Sequence, residues 1–212
     1  RYGYEISDTT MHKYMNKQLN LCAIIMHSKP GYKAGKKNKI FDNLLNQKFT
    51  VDCKNKVWCT DFTYMRQPNG KFRYNCSIID LYDRSAVASL NSDCINTDLA
   101  INTLKTALKK EKHPKVILHS DQGSQFTSKA FVEFCESVNV TQSMSKAGYP
   151  YDNAPMERYF NTLKNECTNL YEFETEKALY QKVEEFAYVD YNHVRPHSFN
   201  DYRTPYEARM AA

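Results

Sequence analysis

The stretch V-W-C-T-D-F-T-Y (57–64) constrains the fold more than any other, because it is rich in aromatic and β-branched residues yet carries Asp61 near its centre. Residues of those types favour a strand. A carboxylate in such a strand is costly unless it is paired, hydrogen-bonded or bound to a metal, so Asp61 needs a reason to be there. F-R-Y-N-C-S-I-I-D-L (72–81) and S-A-V-A-S-L (85–90) read as two further strands, the first set off by the turn signal Pro68-Asn69-Gly70. Connections this short imply an antiparallel meander.

After the meander the pattern changes. T-D-L-A-I-N-T-L-K-T-A-L-K-K-E-K (97–112) places Leu99, Ala100, Thr103, Leu104, Ala107 and Leu108 at helical spacing. K-V-I-L-H-S-D (115–121) is a compact apolar strand that ends at Asp121, and Gly123 is expected to ease the turn behind it. A helix around 127–138, a short strand near 140–145, the loop G-Y-P-Y-D-N-A-P (148–155), a helix from about Pro155 to Thr168 and a last amphipathic helix over 175–192 follow. Strands alternating with helices after a meander make a mixed α/β domain, with Trp58 expected in its core. Ahead of it, Met11, Tyr14, Met15 and Leu19 recur at helical spacing behind Ser7 and Asp8, predicting a helix over about 7–26.

The 212 residues hold one domain of catalytic size, about 150 residues, plus a small appendage. There is no apolar run of roughly 20 residues and no signal-peptide pattern, so a soluble, cytoplasmic protein without a membrane partner is expected. The first residue is Arg1, and the chain reads as a piece of a longer polypeptide. Seven scattered cysteines with no C-x-x-C pair support neither a disulfide framework nor structural zinc. His193 and His197 form an H-x-x-x-H pair that lacks a third zinc ligand.

Charge is distributed unevenly. Residues 1–56 carry eleven Lys/Arg against four Asp/Glu, whereas 57–212 carry eighteen against twenty. K-P-G-Y-K-A-G-K-K-N-K (29–39) contributes five of those lysines and no acid. It reads either as a flexible arm that follows a phosphate backbone through Lys36, Lys37 and Lys39, or as a solvated linker.

Three acids stand out by position. Asp61 lies inside a strand, Asp121 stands at a strand's carboxyl end, where α/β sheets commonly place their chemistry, and Glu157 opens a helix. On that helix Met156, Tyr159, Phe160, Leu163 and Cys167 share an apolar stripe, and Glu157, Asn161 and Lys164 form an adjoining polar one. Pro155 suits the first turn, and the helix N-terminus favours an ionised carboxylate at Glu157. Three converging carboxylates offer the hard oxygen ligands that two Mg2+ ions require, about 3.5–4 Å apart in such sites, for in-line displacement at phosphorus. Asp80 and Asp83 read instead as turn and sheet-edge residues.

The residues around these acids sharpen the picture. W-C-T-D-F-T-Y, H-S-D-Q-G-S-Q-F-T-S and Y-D-N-A-P-M-E-R-Y-F-N-T-L-K-N-E, with 35 residues between Asp121 and Glu157, closely resemble the DD(35)E core of insertion-sequence transposases. The nearest group is the IS-three family, whose transposase is made by ribosomal frameshifting and which is related in fold to retroviral integrases. Y-N-H-V-R-P-H-S-F-N-D-Y-R-T-P (191–205) resembles that group's C-terminal signature, with Phe126 standing where Tyr is frequent and Phe199-Asn200 where Leu-Gly is frequent. The resemblance covers roughly residues 50–208.

It implies an RNase H-like fold: a mixed five-stranded sheet flanked by helices over 51–212, preceded by the end of a helical DNA-binding segment (1–28) and a basic linker (29–50). It further implies that Asp61, Asp121 and Glu157 bind two Mg2+ ions, with Mn2+ as a substitute. Lys164 is expected to contact DNA and Asn161 to assist, while Arg195 and His197 either meet phosphate or brace the final helix. The implied partners are double-stranded DNA, both element ends and target, and further copies of the protein. A nuclease of the same fold without joining activity, and a catalytically silent DNA-binding remnant of a mobile element, are the alternatives.

Overall fold

The computed structural model describes residues 6–21 and 39–211, which fall in two compact units, Arg1–Lys36 and Lys37–Ala212. In the first unit a short helix α1 (Asp8–Lys13) runs into a π-helical turn, Tyr14–Gln18. Ser7 caps it by accepting a hydrogen bond from Thr10 N at 3.3 Å. The helix expected over 7–26 is thus found over 8–18; residues 22–38, with Lys36 and Lys37, lie outside the described residues.

The second unit is built on a five-stranded sheet. Strands β1 (Val57–Arg66), β2 (Phe72–Asp80) and β3 (Ala86–Ser92) form the antiparallel meander, and β4 (Ile117–Ser120) and β5 (Thr141–Met144) add in parallel on the other side of β1. The order is β3-β2-β1-β4-β5, so β1, the strand that carries Asp61, is central.

Side chains alternate across the sheet with the period of the pleat. Trp58, Ile78, Ala88 and Leu118 face α2 (Thr97–Lys110) and α3 (Lys129–Ser137), forming one core with Leu104, Phe126 and Phe131. Val57, Cys59, Ile79 and Leu81 face the opposite way, toward α4 (Ala154–Leu163) and α5 (Glu176–Glu185), with Tyr159, Leu163, Val183 and Tyr191 completing a second core. Each fully buried aliphatic or aromatic side chain contributes about 1.5–3 kcal/mol, so two such layers fix the sheet from both sides. Helix starts follow local capping: Asn96, Ser128 and Thr175 accept from the backbone amides of Leu99, Phe131 and Ala178.

Both sheet edges are covered. Along β3, Asn192 both accepts from Ala86 N (2.8 Å) and donates to Ala86 O (3.0 Å), and the Tyr188 hydroxyl accepts from Ser89 N at 2.9 Å. Along β5, Met144 N donates to Asp42 O at 3.3 Å, and the Ser143 hydroxyl accepts from Leu44 N at 3.0 Å. The described part of the expected linker, 39–50, is therefore packed against the sheet, with Leu45 buried in the second core.

Two features differ from expectation at the C-terminal end. The helix expected over 175–192 continues as a π-helical run, Phe186–Val194, and a further helix α6 (Pro205–Met210) follows, closed by a capping box between Thr204 and Glu207. Arg209 on α6 reaches Asp80 (3.1 Å) and Asp83 (2.6 Å), both with fully buried side chains, and Glu111. Asp80 and Asp83 do brace their own turn, but their main role is to receive the C-terminal helix.

Candidate active site

The parallel register of β1 and β4 pairs Cys59 with His119. Two residues further along, Asp61 stands within β1 and Asp121 just past the carboxyl end of β4. By the alternation of the pleat they share the face of Cys59, the face covered by α4, and Glu157 lies in the first turn of that helix.

Electrostatics tie the three together. The Asp61 carboxyl is half-buried and is pushed up to about 7, first by burial and then by the negative charges of Asp121 and Glu157, against the lowering effect of the hydrogen bond it accepts from Phe62 N at 2.7 Å. Asp121 is also half-buried, and Glu157 is exposed. Among the described residues none of the three has an ion pair with Lys, Arg or His. Nor do any three His, Cys, Asp or Glu side chains among them close into a ready-made cage. What the chain provides is like charge, without a balancing cation, on oxygen ligands of the type that Mg2+ prefers, drawn from three separate elements. In donor type these carboxylates suit a divalent ion, although among the described residues they do not gather into a closed metal site.

Gly123 belongs to this site for a reason other than the turn. Its backbone N–H donates to Asp121 Oδ1 at 2.9 Å, and a Cβ placed on it would stand 2.8 Å from that same oxygen. Its φ is not in the left-handed region, so the missing side chain serves a close approach to the carboxylate.

The other residues singled out from the sequence fall into two groups. Asn161 continues the polar stripe of Glu157 along α4 and Lys164 opens the π-helical turn Lys164–Thr168 that follows it; Lys164 Nζ lies 4.3 Å from the ring centre of the exposed Tyr64, and Asn161 is exposed. Lys164 has no ion pair among the described residues. Lys39 does not stand on an open arm: it pairs with Glu136 at 2.8 Å, with both side chains exposed. Arg195 and His197 have internal partners instead. Arg195 grips Glu166 through Nε and Nη2 at 2.7 and 2.8 Å, and His197 Nδ1 accepts from Phe199 N at 3.2 Å while its ring stands edge-on to Tyr191.

The sequence reading passed over His119, Asp152 and Asn153. All three are buried, and they join the strands of the site to the start of α4. The available signal was a polar D-N pair just before a helix whose start offers no Ser or Thr cap.

Comparison with known proteins bears on the whole arrangement. Two models described as integrase core domain match residues 51–150 and 138–205. The transposase for insertion sequence element IS904 of Lactococcus lactis is 38% identical over 164 residues, covering 77% of this chain and 64% of that protein. Transposase InsF for insertion sequence IS3A of Escherichia coli is 34% identical over 161 residues, covering 76% of this chain and 56% of that protein. The chain thus spans between 56% and 64% of the length of these relatives.

Among solved structures, a chain of the simian T-cell lymphotropic virus intasome, in complex with PP2A regulatory subunit B56 gamma, matches 84% of this chain and 61% of its own length with TM-score 0.65 at 15% identity. The HTLV-2 integrase catalytic core domain in complex with magnesium (trimeric form) matches 74% of this chain and 97% of its own length with TM-score 0.56 at 16% identity. The fold is that of retroviral integrase cores, the RNase H-like fold. With integrase-core matches that together run from residue 51 to 205, the chain belongs to the integrase core domain family, and across that span it is similar to transposases of insertion sequences such as IS904 and IS3.

Proposed function

We propose that this protein is a Mg2+-dependent polynucleotidyl transferase that cleaves DNA at the ends of its own mobile element and joins the freed 3′ ends to a target. One arrangement carries the reading: Asp61 on the central strand, Asp121 just past its parallel neighbour and Glu157 in the first turn of the helix on that face draw three carboxylates from separate elements, and no cationic side chain pairs with them among the described residues. Asp61 and Asp121, from adjacent strands, and Glu157, from α4, would hold two Mg2+ ions, with Mn2+ as a substitute. When bound, the ions supply Lewis acidity toward the attacking and departing oxygens of the phosphodiester.

The chain's own residues do the rest. The backbone of Gly123 holds Asp121 Oδ1 in place, and the bond from Phe62 N does the same for Asp61. Glu157 approaches from a helix end, so α4 and the turn that follows it present Asn161 and Lys164 along the DNA strand that enters the site. Lys164, unpaired and resting over Tyr64, supplies positive charge toward a phosphate. Lys39, whose exposed pair with Glu136 is worth little, and Lys36 and Lys37 are assigned to the phosphate backbone. Arg195 and His197 are assigned to bracing the C-terminal segment. The substrates are the element's terminal repeats and a target duplex, bound by more than one copy of the protein, in the bacterial cytoplasm. Among the described residues no helix is long and apolar enough to cross a membrane.

The reading is tested with the full-length polypeptide and a labelled duplex that carries the element's end. Mg2+-dependent nicking and joined products that disappear in Glu157→Gln are expected. Cleavage without end specificity or joining would favour a nuclease, and end binding without either reaction would favour a silent remnant.

A further inference from the structure

Helix α4 carries Glu157 in its first turn but does not cap itself: Asn153, at the capping position, makes no side-chain bond to the helix. Its start is held from outside. Asn153 Nδ2 donates to the carbonyl of Thr60, the residue before Asp61, at 3.4 Å. The backbone carbonyl of Asp152 accepts from Nε2 of His119, two residues before Asp121, at 2.9 Å. That acceptor fixes the tautomer. With the proton on Nε2, His119 Nδ1 accepts from the Ser143 hydroxyl at 2.9 Å, and Ser143 in turn accepts from Leu44 N.

The Asp152 carboxylate works in a different direction. It accepts from Lys146 N at 3.0 Å, which closes the loop before α4, and from Asn43 Nδ2 and Gln47 Nε2 at 2.9 and 2.8 Å. Asp152 and Asn153 are only 3% and 5% exposed. One dipeptide therefore touches the strand of Asp61, the strand of Asp121, the helix of Glu157 and the segment 43–47 that precedes β1.

We propose that Asp152 and Asn153 are positioning residues that set Glu157 against Asp61 and Asp121, and that Asn43 and Gln47, by holding the Asp152 carboxylate, tie this setting to the segment ahead of β1. The proposal rests on the three carboxylates forming a metal site. A shift of Glu157 by a fraction of a turn would leave the sheet intact and weaken metal binding, as changes outside the ligands themselves do by about tenfold or more. Gln47 is the informative handle, since it is exposed, lies outside the site and can be changed without disturbing a core.

The test uses the full-length protein without DNA and reads two quantities, Mn2+ affinity by titration of the free ion's magnetic-resonance signal and amide hydrogen exchange along α4. Gln47→Ala and Asp152→Asn should each weaken Mn2+ binding, Asp152→Asn by about tenfold and Gln47→Ala by less, and should speed exchange in the first turn of α4 while exchange in α2 stays as in the wild type. Unchanged Mn2+ affinity in Gln47→Ala, with faster exchange confined to 39–47, would show that the junction merely anchors that segment and would overturn the proposal. If Asp152→Asn unfolds, Gln47→Ala decides alone. Failure of the wild type to bind Mn2+ better than Glu157→Gln would instead refute the metal site beneath it.

Discussion

A methyl group added at Gly123 would meet the carboxylate of Asp121 before anything else, at 2.8 Å from Oδ1. Because the backbone there is not left-handed, Gly123→Ala should cost little stability, yet it must displace the oxygen it crowds. Strand cleavage should fall roughly 10- to 100-fold with the melting temperature nearly unchanged, since misplacing a reacting group by about 1 Å costs that much. Wild-type rates in the variant would remove Gly123 from the site. His197 offers a second test at this scale. It is pushed down to about 4 by burial and then by the charges of Arg195, Arg84 and Arg158. A histidine whose folded value lies below its unfolded one contributes stability that is present above about pH 6.5 and is lost as pH falls toward 4. In His197→Gln the dependence of unfolding free energy on pH across that window should flatten by about one proton; an unchanged slope would mean the ring stays exposed to protons in the folded state. Asp61 and Asp121 could be singled out from the sequence because an acid inside a strand and an acid at its end are conspicuous. The crowding at Gly123 could not, because it depends on a rotamer of another side chain.

Helix α6 shows what local patterns reveal and what they hide. Its capping box, Thr204-Pro205-Tyr206-Glu207, was legible, but six residues with no apolar periodicity give little reason to expect a stable helix. Its stability comes from far along the chain, through Arg209 and the buried carboxylates of Asp80 and Asp83. Removing Arg209 leaves two buried carboxylates without their cation, so Arg209→Met should cost about 3–5 kcal/mol, read from urea unfolding. A cost below about 1 kcal/mol would reduce the network to surface decoration. The longer elements were legible because their faces are periodic: Leu99, Leu104 and Leu108 on α2, and Met156, Tyr159 and Leu163 on α4, are all buried as their spacing required. The segment 39–50 was misjudged for the opposite reason. The lysines of 29–39 suggested an arm or solvated linker running on to residue 50, whereas within the described part Leu45, Asn43 and Gln47 hold 39–50 against the sheet and the loop before α4.

The site exists only at the scale of the whole sheet. Fifty-nine residues lie between Asp61 and Asp121, and nothing in the local pattern says that β4 pairs with β1; the parallel pairing that brings their strands side by side is a property of strand order. The mixed five-stranded RNase H-like sheet was reached from the family motifs, without its strand order, whereas the meander and the alternation of strand and helix were reached from the residues alone. If Asp61, Asp121 and Glu157 are one site, losing any member should be nearly as damaging as losing two, because groups that act as a unit are strongly non-additive. The most direct measurement is Mg2+-dependent joining of a pre-cleaved element end, bearing its 3′-hydroxyl, to a target duplex by the full-length protein and its variants. Asp61→Asn, Asp121→Asn and Glu157→Gln should each lower joining by about three orders of magnitude or more, and the double variants should fall little further. A single variant that still joins ends at near the wild-type rate, or losses that multiply as independent effects would, would contradict a shared three-carboxylate centre.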